Sequence, residues 1–251
     1  MSPITISIIV FACVFGGTLL GIFIHSRLPS EHLDSDSKEA VRLGMALVGT
    51  TVALVLGLLI ASAKGFYESQ NTEVTQAAAN IVLLDRILAH YGPEAEGVRA
   101  VLRSSIARWV DLTWQRDDSA KSRFEPTAGR SEVLLDKVQE LSPHNDTQRS
   151  LQSQALSLLI QLAQTRWLLY AQKSSSVPMP LLAVLVFWLT LLFVSFGLFV
   201  RANVVVVISL FASSLAVCGA IFLILEMYQP YSGLIQVSGA PLRAALAQLG
   251  Q

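Results

Sequence analysis

The sequence predicts an all-α membrane protein, with four transmembrane helices in two hairpins and an inserted soluble helical segment. Three observations carry this. Of 251 residues, 53% are hydrophobic and only 14% charged, with mean hydropathy +0.54; globular domains carry about 25% charged residues. Four long runs are free of charge, and charged residues close each of them. The stretch between the second and third runs has helical periodicity and no strand pattern.

The first run ends at His25 and Arg27; the second covers 43–63, between Arg42 and Lys64. The third, 174–200, lies between Lys173 and Arg201, and the fourth, 202–225, ends at Glu226. At about 1.5 Å per residue, 21 residues span roughly 31 Å, enough for a hydrocarbon core of about 30 Å. From Leu181 to Val200 there are 15 Leu, Val or Phe residues. Together they favour insertion by on the order of 5 to 9 kcal/mol. The first run lacks a basic n-region and a small-residue cleavage site, so an uncleaved span is expected instead of a signal peptide. Val204–Ile208 is β-branched, but a backbone in lipid must satisfy its own hydrogen bonds, and helix is expected there.

Four parts follow. Residues 1–63 form a first hairpin, with spans at about 4–24 and 43–63. Residues 64–173 form the soluble helical segment. Residues 174–226 form a second hairpin, with spans at about 178–200 and 202–225. Residues 227–251 form an interfacial tail. An even number of spans puts both termini and the soluble segment on one side. Basic residues near the span ends balance: Arg27, Lys38, Arg42 and Arg201 against Lys64, Arg166, Lys173 and Arg243. The positive-inside rule is therefore silent. With no export signal ahead of it, the soluble segment is expected in the cytoplasm.

In the soluble segment the second helix continues to Tyr91, where Gly92-Pro93 stops it. Val74, Ala77, Ile81, Leu84, Leu88 and Tyr91 step by three and four, the spacing of a helix-bundle seam. A second helix presents Val98, Leu102, Trp109 and Leu112. Residues 117–131 read as a loop, 131–141 as a short helix. A long helix from about Thr147 carries Leu151, Ala155, Leu158, Leu162 and Leu169. The tail is a short amphipathic helix with Pro241 in its first turn and Leu242, Leu246 and Leu249 on one face. That face fits the membrane interface or a neighbouring helix.

Small residues recur every four positions on the second span: Gly49, Ala53, Gly57 and Ala61, then Gly65. Such a row admits close helix packing or lines a narrow pore, and both alternatives stand. Gly17 and Gly21, and Ala212, Ala216 and Ala220, repeat the pattern. No Asp, Glu, Lys, Arg or His lies inside a span, which weighs against proton-coupled pumps and leaves room for a hydrophobically gated pore. His25, Glu31, His32, Asp34 and Asp36 have no metal-ligand spacing, and an ordinary interfacial loop is expected. Asp85 and Arg86 suit salt bridges between helices. Glu226, beside Tyr228 and Tyr231, suits an interface anchor. Cys13 and Cys218 both fall in apolar runs, which excludes a disulfide framework. No catalytic motif is present, so no enzyme, cofactor or metal is expected. Zero formal net charge gives no support for a nucleic-acid partner.

Leu56-Gly-Leu-Leu-Ile-Ala-Ser-Ala-Lys64 and Val82-Leu-Leu-Asp-Arg-Ile-Leu-Ala-His-Tyr-Gly-Pro-Glu94 resemble a bacterial bestrophin-like membrane protein family of unassigned function. Arg27-Leu-Pro-Ser-Glu-His-Leu33, Tyr231-Ser-Gly-Leu-Ile-Gln-Val-Ser238 and Pro241-Leu-Arg243 are similar to it too. The resemblance implies a multi-pass protein of the bacterial inner membrane, in contact with membrane lipid. Bestrophins are pentameric helical anion channels, so by distant, outline-level similarity it implies a homo-oligomeric ion channel for chloride or other anions. The acidic run of the animal calcium clasp is missing, since Asp117-Asp118 is the longest acidic stretch. The alternative is a non-conducting membrane scaffold or sensor with a helical partner-binding segment.

Overall fold

The structure is a computed structural model that describes residues 2–27, 35–114, 128–172, 179–200, 203–231 and 233–250. The described residues form helices α1 (Pro3–Arg27), α2 (Ser35–Tyr91), α3 (Glu96–Trp114) and α4 (Ala128–Gln139). They continue as α5 (Asp146–Gln172), α6 (Met179–Phe199), α7 (Val204–Met227) and α8 (Ala240–Gln248). Among the described residues there is no strand. Among the described residues four helices are long and apolar enough to cross a membrane: α1, α2, α6 and α7. The chain divides into two compact units, Met1–Phe66 with Ser176–Gln229, and Tyr67–Ser175 with Pro230–Gln251.

In the first unit, α1 packs against α6 and α7. A Cβ at Gly17 would stand 3.1 Å from the Thr190 carbonyl, and one at Gly21 would collide with the Val194 carbonyl. Gly197 meets the Thr18 carbonyl in the same way from the other side. With no side chain between them the two backbones approach closely, the small-residue packing that apolar surroundings favour. Val14, Leu185 and Ile221 are fully buried around this contact. Phe211 meets the rings of Phe11 and Phe15 edge-on, with centroids 5.5 and 5.3 Å apart. The buried Cys218 thiol donates to the Ser7 carbonyl at 2.9 Å.

The second helix begins at Ser35, inside the 25–42 loop that the apolar run alone would leave. Charge sets where a segment leaves the lipid, not where its helix starts, and Glu39 and Arg42 are good helix formers. The helix then runs unbroken to Tyr91. Gly92 takes φ +130°, which L side chains rarely adopt, and Pro93 opens a short 3-10 turn. One freed α2 carbonyl is met from another helix, since the Gln148 amide donates to the Tyr91 carbonyl at 2.9 Å.

The second unit is built on the buried side of α2's later half. Val98, Leu102 and Trp109 are buried on α3, together with Ile106 and Val110; Leu112 is half-buried. Ala155, Leu159 and Leu169 are buried on α5. The Gln152 amide donates to the Val138 and Leu141 carbonyls, both at 2.8 Å, and so closes the C-terminal end of α4 from α5. The tail settles on a neighbouring helix: α8 packs on α3, burying Leu242, Ala245 and Leu249. The Trp114 indole donates to the Val237 carbonyl at 2.8 Å, and the Tyr231 hydroxyl to Gln70 Oε1 at 2.8 Å. Burial pushes the Tyr231 phenol up, which keeps it a neutral donor.

Candidate functional site

The stretch of α2 between Arg42 and Lys64 has two unlike sides. Val52, Leu59 and Ala63, spaced by seven and four, share one side and are buried in the first unit's core with Leu185 and Ile221. The other side is bare. Leu43, Leu47, Leu54 and Leu58 are exposed there, Leu54 to 75%.

The row of small residues crosses from one side to the other. Each four-residue step overshoots a full turn by about 40°, so the row winds around the helix. Gly49 is half-buried, and a Cβ there would just touch Leu192 Cδ2 at 4.0 Å. Ala53, Gly57 and Ala61 are exposed, and nothing lies within 4 Å of a Cβ at Gly57. Gly65 is equally open. On α7, Ala212 and Ala216 are exposed and Ala220 half-buried. Close packing inside the chain thus consumes the small face of α1 and leaves that of α2 vacant.

Basic residues bracket the vacant face. Arg42 stands seven residues before Gly49 and Lys64 seven after Gly57, and the twenty-two residues from one cation to the other bring them to within about 40° of the same direction around the helix. Both are exposed, and no charged residue lies between them. Thr50 and Thr51 donate their hydroxyl protons to the Leu47 carbonyl at 2.8 and 2.9 Å, which satisfies them within the helix. Near Lys64, the Ser62 and Tyr228 hydroxyls lie 3.1 Å apart, and Phe66 stacks on the Tyr228 ring. The arrangement is a face of small, uncharged residues between two basic ones. What it can do is admit another helix backbone, or bound a narrow passage with positive charge at its ends.

Among the described residues no group of three His, Cys, Asp or Glu side chains could hold a metal ion. His25 closes α1; Glu31, His32 and Asp34 lie outside the described residues, as does the Asp36 side chain.

All six seam residues, Val74, Ala77, Ile81, Leu84, Leu88 and Tyr91, are buried in the second unit's core. Beside them Asp85, only 2% exposed, receives Arg99 Nε and a second guanidinium nitrogen, each at 2.8 Å. The Gly250 amide adds a third hydrogen bond at 3.3 Å. The Arg99 bonds, more than burial opposes them, hold the Asp85 carboxyl below its ordinary pKa. The sequence shows Asp85 but not its partner, because nothing in the spacing marks Arg99 as facing it. Glu226 is buried, not anchored at a free surface.

The sequence profile of the bestrophin-like domain matches residues 12–242. No curated protein matches the chain. Among solved structures, a tryptophan-to-alanine variant of a bacterial bestrophin homologue from Klebsiella pneumoniae aligns with a TM-score of 0.72, covering 99% of this chain and 97% of that one at 14% identity. A membrane protein with a proline-to-alanine substitution aligns at 0.68, covering 96% and 99% at 13% identity. An isoleucine-to-threonine variant of the Klebsiella pneumoniae homologue aligns at 0.66, covering 96% and 97% at 14% identity. At such identities the likeness shows a shared fold.

Proposed function

The chain belongs to the bestrophin-like family, and on that premise we propose that it is a homo-oligomeric membrane channel with α2 at the common axis. One observation carries the reading: the α2 face that holds Ala53, Gly57 and Ala61 is exposed, with nothing within 4 Å of a Cβ at Gly57. A helix that faced only lipid would gain nothing from glycine there, which costs about 1 kcal/mol against alanine in a helix. Copies of α2 around an axis put small residues along the passage. Arg42 and Lys64 then become rings of positive charge at its two mouths, the arrangement that favours anions such as chloride. The uncharged stretch between them makes the barrier one of dewetting and width. The site is Gly49, Ala53, Gly57 and Ala61, with membrane lipid against the leucines beside it.

A scaffold with a partner-binding helical segment has less support, since the seam at Val74–Tyr91 is used up in the second unit's own core. Gly57→Leu tests the pore. It adds one isobutyl group per subunit at a single level, so symmetry multiplies the obstruction. The pore reading expects anion flux to fall at least tenfold in an oligomer that still assembles and melts as before. Under the packing alternative the helices are forced apart, stability drops by about 1–3 kcal/mol, and flux is lost only in proportion to assembly.

A further inference from the structure

Between Arg42 and Lys64 the α2 stretch carries three hydroxyls, Thr50, Thr51 and Ser62. A helix turns by about 100° per residue, which separates them. Thr50 points within about 20° of Gly57, on the vacant face, whereas Thr51 and Ser62 are turned roughly 120° and 140° from it. Burial agrees, since Thr50 is exposed and Thr51 half-buried. Ser62 meets the Tyr228 hydroxyl at 3.1 Å. Thr50 is therefore the one hydroxyl on a face otherwise made of glycine, alanine, leucine and isoleucine.

Its proton is a surplus one. The Leu47 carbonyl already accepts the Thr51 amide, four residues on in the unbroken helix. It also receives both hydroxyls, Thr50 at 2.8 Å and Thr51 at 2.9 Å. A carbonyl oxygen has two lone pairs, so three donors compete for two places. When the Thr50 O–H rotates outward, the other two donors still satisfy the carbonyl, and no heavy atom has to move. The rotation therefore costs little, even in apolar surroundings where an emptied lone pair would be expensive.

We propose that Thr50 determines selectivity among anions, by donating its hydroxyl proton to an ion in the uncharged stretch of the passage. This rests on the channel reading, with α2 at the axis. At 1.5 Å per residue, Arg42 and Lys64 lie about 12 and 21 Å along the helix from Thr50, too far to touch an ion at its level. From Leu43 to Ala63 the rest of that face offers an ion no hydrogen bond in exchange for its water. A selectivity filter works by replacing the hydration shell, and one donor from each subunit at a single level makes a ring that does so. Chloride, which holds its water tightly, depends on that ring more than a weakly hydrated anion such as thiocyanate.

Currents through the full-length protein in planar bilayers, with chloride and thiocyanate as probes, test it. Thr50→Ala removes the hydroxyl, widens the passage and suits a helix better, so obstruction does not imitate the effect. Chloride current should fall about tenfold, the scale of a hydrogen bond to an ion. The ratio of chloride to thiocyanate permeability should fall with it. Thr50→Val, which keeps the shape, should show the same losses and keeps the test decisive if the alanine variant does not assemble. Thr50→Ser keeps the donor and should behave as the wild type. Thr51→Ala removes the neighbouring hydroxyl from the same carbonyl and should change neither quantity. An unchanged or raised chloride current in the alanine and valine variants of Thr50, or an equal loss in Thr51→Ala, would overturn the proposal and leave the channel reading standing. A wild type that passes no ions would overturn both.

Discussion

Two glycines of the membrane unit make opposite demands on a side chain. At Gly21 a methyl group would strike the Val194 carbonyl and come within 2.9 Å of the Leu198 amide nitrogen, both backbone atoms that cannot swing aside. At Gly57 it would meet nothing within 4 Å. Gly21→Ala should therefore destabilise the protein by about 1–3 kcal/mol through helix separation, while Gly57→Ala should leave the protomer's melting temperature unchanged or raised. Thermal melts of both variants in one detergent read the contrast. Asp85 supplies a second residue-scale prediction. Its folded pKa lies below the ordinary 3.8, chiefly through the hydrogen bonds from Arg99. The stability this contributes is full above the ordinary value and is lost as pH falls through the lower, folded one. Asp85→Asn should cost about 2 kcal/mol at neutral pH, the scale of hydrogen bonds to a charged group, and its melting temperature should converge on the wild type's only as pH falls below 3.8 and through the lower folded value. A gap that persists into strong acid would mean the carboxylate charge is not what matters.

Elements differ in how far the sequence exposes them. The seam from Val74 to Tyr91 is legible because burial must follow the helical repeat, and all six of its residues are buried. The stop at Gly92-Pro93 is legible because only glycine readily takes φ +130°. The start of α2 at Ser35 is not, since polar residues continue a helix out of lipid as readily as they end it. Nor does the sequence show that Trp114 and Gly239 meet, or that α8 lies on α3, because these contacts join segments over a hundred residues apart. For the small-residue row the pattern is plain, but which members face out depends on which side of α2 the other helices take, and that is a tertiary fact. Topology follows from the four apolar helices. After Cys13 and Cys218 are replaced by alanine, cysteines at Ser153 and Gln248 should react with an impermeant thiol reagent from the same side, and one at Asn203 from the other. Labelling of Asn203 and Ser153 from one face would break the four-span topology.

The whole molecule presents an α2 whose apolar stretch is the least buried of the four candidate spans, with its small and basic residues facing outward. The proposed ring of copies would set Arg42 and Lys64 at the mouths and the small residues of α2 along the wall between them. The direct measurement is ion current through the purified wild-type protein in planar bilayers, after mass photometry has established a discrete oligomer. Discrete conductance steps are predicted, with a reversal potential in a salt gradient that lies nearer the chloride than the cation equilibrium value. An assembled oligomer that passes no ions across voltage, pH and calcium, or one that passes cations as readily as anions, would contradict the account.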